Sequence, residues 1–190
     1  KIGKPVVHPE DRFFPDTYTY AKGSSDLAVL QRAARAMDKR LASAWAQRSP
    51  QTPLQSAEQA LILASIVEKE TGLAKDRRMI ASVFHNRLRI GMPLQTDPTV
   101  IYGMGAAFDG NLRRVDLQTE HPWNTYVHRG LPPTPIAMPG KAALPATLQP
   151  ATSKALFFVA RGDGSSQFSE TLEQHNAAVD RYQRNPAKAQ

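Results

Sequence analysis

The most hydrophobic segment of the chain, ALILASIV at residues 60–67, runs directly into the charged triplet EKE. Ser56 and Gln59 precede it with the S-x-x-Q spacing of a helix capping box. Gly72 follows it, in the position where glycine commonly ends a helix. These signals predict a helix that opens at Ser56 and runs to about Thr71, with an apolar stripe directed at the core or at the floor of a cleft.

The two glutamates of the EKE triplet point in different directions on this helix. A helix advances by about 100° per residue, so Glu70 falls on the apolar stripe, nearly above Leu63. Glu68 is turned away from the stripe by about 140°, and we expect it to be solvated. A carboxyl group held against apolar side chains has a raised pKa, which suits the general acid of glycosidic bond cleavage. The structural alternative is that Glu70 lies at the edge of the stripe and pairs with an arginine or lysine.

Helical periodicity recurs in three other segments. Residues 26–48 carry an amphipathic pattern, and a third helix is predicted to start at Asp76 and to end at Gly91. Thr171 and Gln174 form a second capping-box pattern, which predicts a last helix. The stripe of this last helix consists of Leu172, His175, Val179 and Tyr182. We interpret its histidine as a buried or partly buried structural residue.

A β-hairpin is predicted from the strand ALFFVA at residues 155–160, the turn RGDG and a returning strand at residues 166–169. The sequence therefore predicts an α+β fold that is rich in helix, with one small antiparallel hairpin. A long, ordered, proline-rich loop region completes the prediction and covers residues 92–140, which show little periodicity.

Polar and aromatic side chains are dense in this loop region. Amide, hydroxyl and carboxylate groups next to aromatic rings are typical of sugar-binding sites. Gln95, Asn124 and Tyr126 are therefore candidate substrate contacts. Each of them could equally well hold the backbone of the loop, because ordered loops need side-chain partners for their polar groups.

Composition narrows the possible partners and cofactors. The net charge of +7 and the sequence pI of about 9.9 favour an anionic partner, but the basic residues are not clustered and no nucleic-acid-binding motif is visible. The absence of cysteine excludes disulfides, thiolate metal sites and a cysteine nucleophile. The five histidines lack the spacing of a helical zinc site, so we predict neither a metal nor a cofactor.

Four segments in succession resemble the YceG-like family of endolytic murein transglycosylases: ASIVEKETG, VFHNRLRIGMPLQTDPTVIYGMG, NTYVHRGLPPTPIAMPG and LFFVARGDGSSQFSETLEQHN. The resemblance runs from about Arg12 to Tyr182. It implies an enzyme that cuts nascent peptidoglycan strands internally, between N-acetylmuramic acid and N-acetylglucosamine. The cut leaves 1,6-anhydromuramic ends and terminates strand growth. The resemblance also implies that the catalytic glutamate lies in the EKE motif, at Glu70, with Glu68 as the fallback.

The same resemblance implies a cellular setting. Members of the family are anchored in the bacterial inner membrane by one N-terminal helix, act in the periplasm near the peptidoglycan synthases, and carry a small LysM-like domain. The chain begins with lysine rather than methionine. We therefore expect residues 1–23 to be an extended remnant of the linker from an N-terminal LysM-like part, and residues 24–190 to be the catalytic domain.

Asp97 and Arg87 each have two interpretations. Asp97 and Pro98 look like a helix start with proline in its first position, and we favour this over a second catalytic carboxylate. Arg87 either contacts the carboxylates of the muramyl sugar or its peptide, or pairs with Glu70 or Asp97. A close pair with Glu70 would lower the pKa of that carboxyl and weaken the general-acid hypothesis.

Two other functions remain open for the same chain. The first is a peptidoglycan-binding module without chemistry, in which Glu70 is an ion-pair residue. The second is a hydrolase of the same bond that uses water and Asp97 as its second carboxylate.

Overall fold

The computed structural model describes residues 12–184. Residues 1–11 of the predicted N-terminal segment and residues 185–190 of the predicted catalytic domain lie outside this range. Within it the chain forms seven α-helices and one two-stranded antiparallel sheet, which confirms the predicted α+β class. In chain order the elements are α1 (Asp26–Ala46), α2 (Ala57–Glu70), α3 (Ala74–Arg89), α4 (Asp97–Met104), α5 (Arg114–Gln118), α6 (Ala143–Leu148), β1 (Phe157–Ala160), β2 (Ser166–Ser169) and α7 (Leu172–Val179). None of these helices combines the length and apolarity that crossing a bilayer requires.

Helix α2 lies at the centre of the core. Every residue from Ala60 to Val67 is buried, and α1, α3, α4 and α6 all pack against the helix. Each fully buried leucine or isoleucine contributes about 1.5–3 kcal/mol through the hydrophobic effect, so this segment supplies much of the stabilisation. The residues that follow the buried stretch are therefore held on a rigid element.

The two ends of α2 differ in how closely they follow the prediction. The Ser56 hydroxyl accepts a hydrogen bond from the Gln59 N–H at 3.2 Å, as a capping box requires. The Gln59 side chain accepts its own bond from the Gln55 N–H rather than from Ser56. At the other end Thr71 leaves the helix in an extended conformation, with φ −151° and ψ 133°. Gly72 does not adopt a left-handed conformation, so the expected glycine cap is not used.

Helix α3 begins at Ala74, so the prediction that Asp76 starts it is wrong by one half-turn. Asp76 lies in the first turn, where a negative charge is also favourable. Its buried carboxylate accepts a hydrogen bond from the Ser166 N–H at 2.6 Å, which ties α3 to β2. This long-range contact, rather than a cap, explains the aspartate.

The hairpin is confirmed, although β1 is two residues shorter than predicted. Phe158 lies opposite Phe168 in the antiparallel register, and its ring packs edge-on against Phe84 of α3 at 6.0 Å between centroids. The capping box of α7 is also confirmed, with Thr171 and Gln174 exchanging both expected hydrogen bonds.

The predicted stripe of α7 does not face the core. Within α7 only Ala178 is buried, whereas Leu172 is 57% exposed. The helix packs on the hairpin, and Leu172 and His175 in its N-terminal half border an open cavity. Residues 180–184 continue it as a π-helical turn.

The loop region and the N-terminal segment are more structured than predicted. Residues 92–140 include α4, a 3-10 turn at Gly105–Ala107 and α5. Helix α6 was not predicted, because it is short and Pro145 interrupts its pattern; packing against α2 and α3 stabilises it. Phe14 belongs to the core and its N–H bonds to the Ala33 carbonyl at 3.1 Å, so the described part of segment 1–23 packs on α1. The domain boundary at residue 23 stays a prediction.

Candidate active site

A cavity of about 360 Å³ lies between the C-terminal end of α2, the start of α4, β1 and α7. Its lining residues come from six separate segments of the chain, so only the tertiary fold brings them together. They are Glu70, Arg87, Gln95, Asp97, Tyr126, Phe157, Phe158, Leu172 and His175. All of the sequence-predicted site residues are in this set except Asn124 and the fallback Glu68.

Glu70 is the last residue of α2, one turn beyond the buried Val67. Burial, helped by the negative charge of Asp97, raises the pKa of its carboxyl to about 7. A hydrogen bond from the Thr96 hydroxyl and the positive charge of Arg87 oppose this rise. At neutral pH the carboxyl is therefore close to half protonated, so that it can both give and take a proton.

Thr96 is the residue that sequence reasoning missed. Its hydroxyl donates to the Glu70 carboxylate, and its own N–H bonds to the Thr125 hydroxyl at 3.2 Å. Thr99 closes the network: its hydroxyl lies 2.8 Å from that of Thr125. All three threonines are buried, so the donor to Glu70 is held in one orientation. The signal in the sequence is that Thr96 stands directly before α4 in the QTDPT segment. Its side chain does not cap that helix.

Asp97 and Tyr126 form a pair within the cavity. The Tyr126 hydroxyl donates to Asp97 Oδ1 at 2.5 Å. Burial, together with the Asp97 carboxylate, raises the pKa of Tyr126, so that the phenol stays protonated. The helix start predicted here is present but shifted by one residue, with Thr96 at the N-cap, Asp97 first and Pro98 second. Asp97 is thus both a helix-start residue and a charge facing the same cavity as Glu70.

Arg87 is buried and bonded to backbone carbonyls. Its Nε donates to the Leu156 carbonyl at 2.7 Å and its Nη1 to the Leu94 carbonyl at 2.6 Å, so it joins the loop before α4 to the start of the hairpin. Its guanidinium lies over the Phe157 ring, 5.4 Å from the centroid. Within residues 12–184 Arg87 forms no ion pair with Glu70, so the close pairing that would lower the pKa of the Glu70 carboxyl is absent.

Gln95 has the only positive φ among the described non-glycine residues, at 48°. This left-handed conformation is unfavourable for a residue with a side chain, and such strain concentrates at functional sites. The Gln95 N–H donates to the Thr125 carbonyl at 3.1 Å, which holds the backbone in this conformation. The side chain is exposed and lines the cavity.

The Asn124 side chain bonds to the backbone of the loop region. Its side-chain amide donates to three backbone carbonyls, those of Asp116, Leu117 and Thr119, and its Oδ1 accepts from the Tyr126 N–H at 2.9 Å. Asn124 is 1% exposed and does not line the cavity. It therefore positions Tyr126 by fixing the loop.

The expectation that Glu68 is solvated is wrong. Glu68 is half-buried, and its Oε2 accepts a hydrogen bond from the Gly140 N–H at 3.0 Å. It joins α2 to the end of the long loop on a side of the helix away from the cavity.

Residues 12–184 contain no group of three histidine, aspartate or glutamate side chains that could hold a metal ion.

A carboxyl with a near-neutral pKa, held by a buried hydroxyl in a polar cavity, defines a candidate acid–base site on a helix-rich α+β fold. A model of the YceG-like family matches residues 4–181, and the chain belongs to this family. The resemblance found from the sequence is therefore confirmed.

Three related proteins show how much of a longer chain this sequence corresponds to. It is 37% identical over 182 residues to the endolytic murein transglycosylase of Bacillus subtilis (strain 168), covering 95% of this chain and 50% of that protein. It is 30% identical to the endolytic murein transglycosylase of Streptococcus pneumoniae serotype 2 (strain D39), covering 90% of this chain and 31% of that one. The fold resembles the 2.6 Å crystal structure of a YceG-like protein from Listeria monocytogenes, with a TM-score of 0.76, 38% identity, and coverage of 88% of this chain and 54% of that one. The chain thus spans about half, or less, of the length of these relatives.

Proposed function

We propose that this protein is an endolytic peptidoglycan lytic transglycosylase with Glu70 as its catalytic residue. The observation that carries the proposal is the Glu70 carboxyl, with its pKa raised to about 7, in a cavity beside the Thr96 donor. The relatives named as endolytic murein transglycosylases give the substrate and the reaction class.

The reaction needs one group that acts first as an acid and then as a base. Protonated Glu70 gives its proton to the glycosidic oxygen as the bond between that oxygen and C1 of the muramyl sugar breaks. The carbonyl of the substrate's own N-acetyl group stabilises the cation that develops at C1. The Glu70 carboxylate then takes the proton of the C6 hydroxyl, whose oxygen attacks C1 and closes the 1,6-anhydro ring. A pKa near 7 allows both proton transfers at neutral pH.

Asp97 supports a second candidate, because it faces the same cavity as Glu70. In a hydrolase it would activate a water molecule as the second carboxylate. Its hydrogen bond with the Tyr126 hydroxyl instead favours a role as a fixed negative charge near Glu70. With its charge held by this bond, Asp97 raises the pKa of Glu70 and keeps the acid protonated.

Gln95, Tyr126 and Arg87 are proposed to contact the substrate, since all three line the cavity. Arg87 keeps two of its nitrogens on backbone carbonyls, so it would offer the remaining Nη2 to a substrate carboxylate.

By analogy with its family, we also propose that the protein acts at the outer face of the bacterial inner membrane, where it would meet nascent strands and their synthases.

The test uses uncrosslinked glycan strands, with the new chain ends identified by mass spectrometry. The wild type should produce internal 1,6-anhydromuramic ends, and Glu70→Gln should lower the rate by at least about a hundredfold, the usual contribution of a general acid. Glu68→Gln is the matched control, because it keeps a hydrogen-bond acceptor for Gly140 and lies outside the cavity. Reducing ends would support the hydrolase, and strands that are bound but left intact by the folded wild type would support a binding module.

A further inference from the structure

One wall of the cavity is formed by β1 and α7, and the reaction described above does not use it. The rings of Phe157 and His175 stack with 5.2 Å between their centroids and 21° between their planes. Leu172 precedes His175 by three residues, so the two lie on the same face of α7. Both line the cavity together with Phe157. We call these three residues the hairpin–α7 wall.

Packing within the protein does not account for this wall. Leu172 is 57% exposed, although it is apolar and opens onto the cavity. His175 Nδ1 is buried and makes no hydrogen bond within residues 12–184. A buried polar atom without a partner costs about 1–3 kcal/mol, and native proteins retain few of them. Of these two features, the exposed leucine points to a ligand in the cavity, because the buried Nδ1 does not lie on the cavity surface.

The chemistry of the wall restricts that ligand. A pyranose ring has one apolar face of C–H groups and an edge of hydroxyl and N-acetyl groups, so it matches an apolar and aromatic surface that includes an imidazole ring. Burial and the positive charge of Arg87 lower the pKa of His175. The imidazole is therefore neutral at pH 7 and can accept a hydrogen bond as well as donate one.

We propose that Phe157, Leu172 and His175 form a subsite for an N-acetylated sugar ring, next to the ring whose glycosidic bond is broken at Glu70. This inference rests on the proposed function for its substrate class, but it assigns binding and not chemistry to the wall. The wall holds the strand in register, while the reacting atoms lie at Glu70.

The experiment measures binding separately from cleavage. Uncrosslinked glycan strands are titrated into the Glu70→Gln protein, and Leu172→Ser or His175→Phe is added in the same background. Leu172→Ser removes apolar surface from an exposed position, so it should not affect folding. His175→Phe keeps the ring stacked on Phe157 and removes both nitrogens. The control is Glu173→Gln, an exposed residue of α7 that does not line the cavity.

Each of the two wall variants should weaken strand binding about five- to tenfold, the loss expected for one apolar or hydrogen-bonded contact. The Glu173→Gln control should bind as tightly as its parent. In the active protein the same substitutions should raise KM by a similar factor and leave kcat nearly unchanged, since uniform binding is lost.

Unchanged binding in both wall variants would overturn the subsite, as would strands that do not bind the Glu70→Gln protein at all. A fall in kcat at unchanged KM would also overturn it, because the wall would then act on the reacting atoms. Failure of the proposed function has a different signature, in which the wall variants weaken binding but the wild type makes no anhydro ends.

Discussion

Replacing Glu70 by glutamine should stabilise the folded protein at alkaline pH while it removes the proposed acid. The carboxyl has a pKa of about 7 in the folded protein against 4.5 in the unfolded chain, because burial penalises its charged form. A carboxyl with a raised pKa stabilises the fold fully below pH 4.5, and this contribution is lost as the pH rises to about 7. Above that pH the wild type must keep a buried charge, whereas the glutamine variant carries none.

The size of the effect follows from the gap of about 2.5 between the two pKa values. One pKa unit corresponds to about 1.4 kcal/mol, so the full cost is about 3 kcal/mol. Glutamine keeps an oxygen that can accept the bond from the Thr96 hydroxyl. Any change in that bond or in packing changes the free energy of unfolding of the variant by the same amount at every pH. This amount cancels when two pH values are compared.

The assay is denaturant unfolding of the wild type and of Glu70→Gln at about pH 4 and about pH 8. The stability of the variant relative to the wild type should increase by about 3 kcal/mol between the two pH values. Glu68→Gln, on the other side of the same helix, is the matched carboxyl-to-amide control. A difference between Glu70→Gln and the wild type that does not change with pH would refute the raised pKa, and with it the main support for a general acid at this position.

Three further predictions concern the groups around this carboxyl and one buried histidine. Thr96→Val removes the donor that favours the charged form, so the pKa of Glu70 should rise, and the alkaline limb of the pH–rate profile should move to higher pH as kcat falls. Asp97→Asn removes a negative charge, so the same limb should move to lower pH; an unmoved limb would show that the two carboxyls are not coupled. His85 is fully buried, and burial lowers its pKa to about 4 from 6.5, so it contributes about 3 kcal/mol above pH 6.5 that is lost as the pH falls towards 4. Unfolding of His85→Leu at about pH 4 and about pH 7 checks this, because the variant should lack that acid-induced loss.

Local periodicity explains why the position of Glu70 was predictable from the sequence. The helical repeat places it above Leu63 whatever the rest of the fold does, and the structure puts it in the cavity. Thr96 was not predictable in the same way, because its bond to Glu70 joins two segments 26 residues apart. Glu68 shows the same limit, since its backbone partner at Gly140 is 72 residues away.

Short elements that depend on tertiary contacts were the other failures. Helix α6 has only six residues and contains a proline, so its own propensity predicts no helix, and it is stabilised by packing on α2 and α3. The N-terminal half of α7 has a stripe that resembles a core-facing one, yet it borders the cavity. A sequence pattern shows which face of a helix is apolar, but it does not show whether protein or ligand covers that face.

Glu70 and His85 affect the stability of the wild type in opposite directions over the same pH range. As the pH rises from 4.5 to 6.5, the unfolded chain loses the Glu70 proton first, which lowers stability by about 1.4 kcal/mol per pH unit. Over that range the unfolded chain still holds the His85 proton that the folded protein has released, which raises stability by the same amount. The contributions of these two groups to the stability of the wild type should therefore nearly cancel between these pH values, although each contributes a steep slope. The two single variants separate the slopes: relative to the wild type, stability should rise with pH in Glu70→Gln and fall in His85→Leu, and an unchanged profile in both would contradict both pKa assignments.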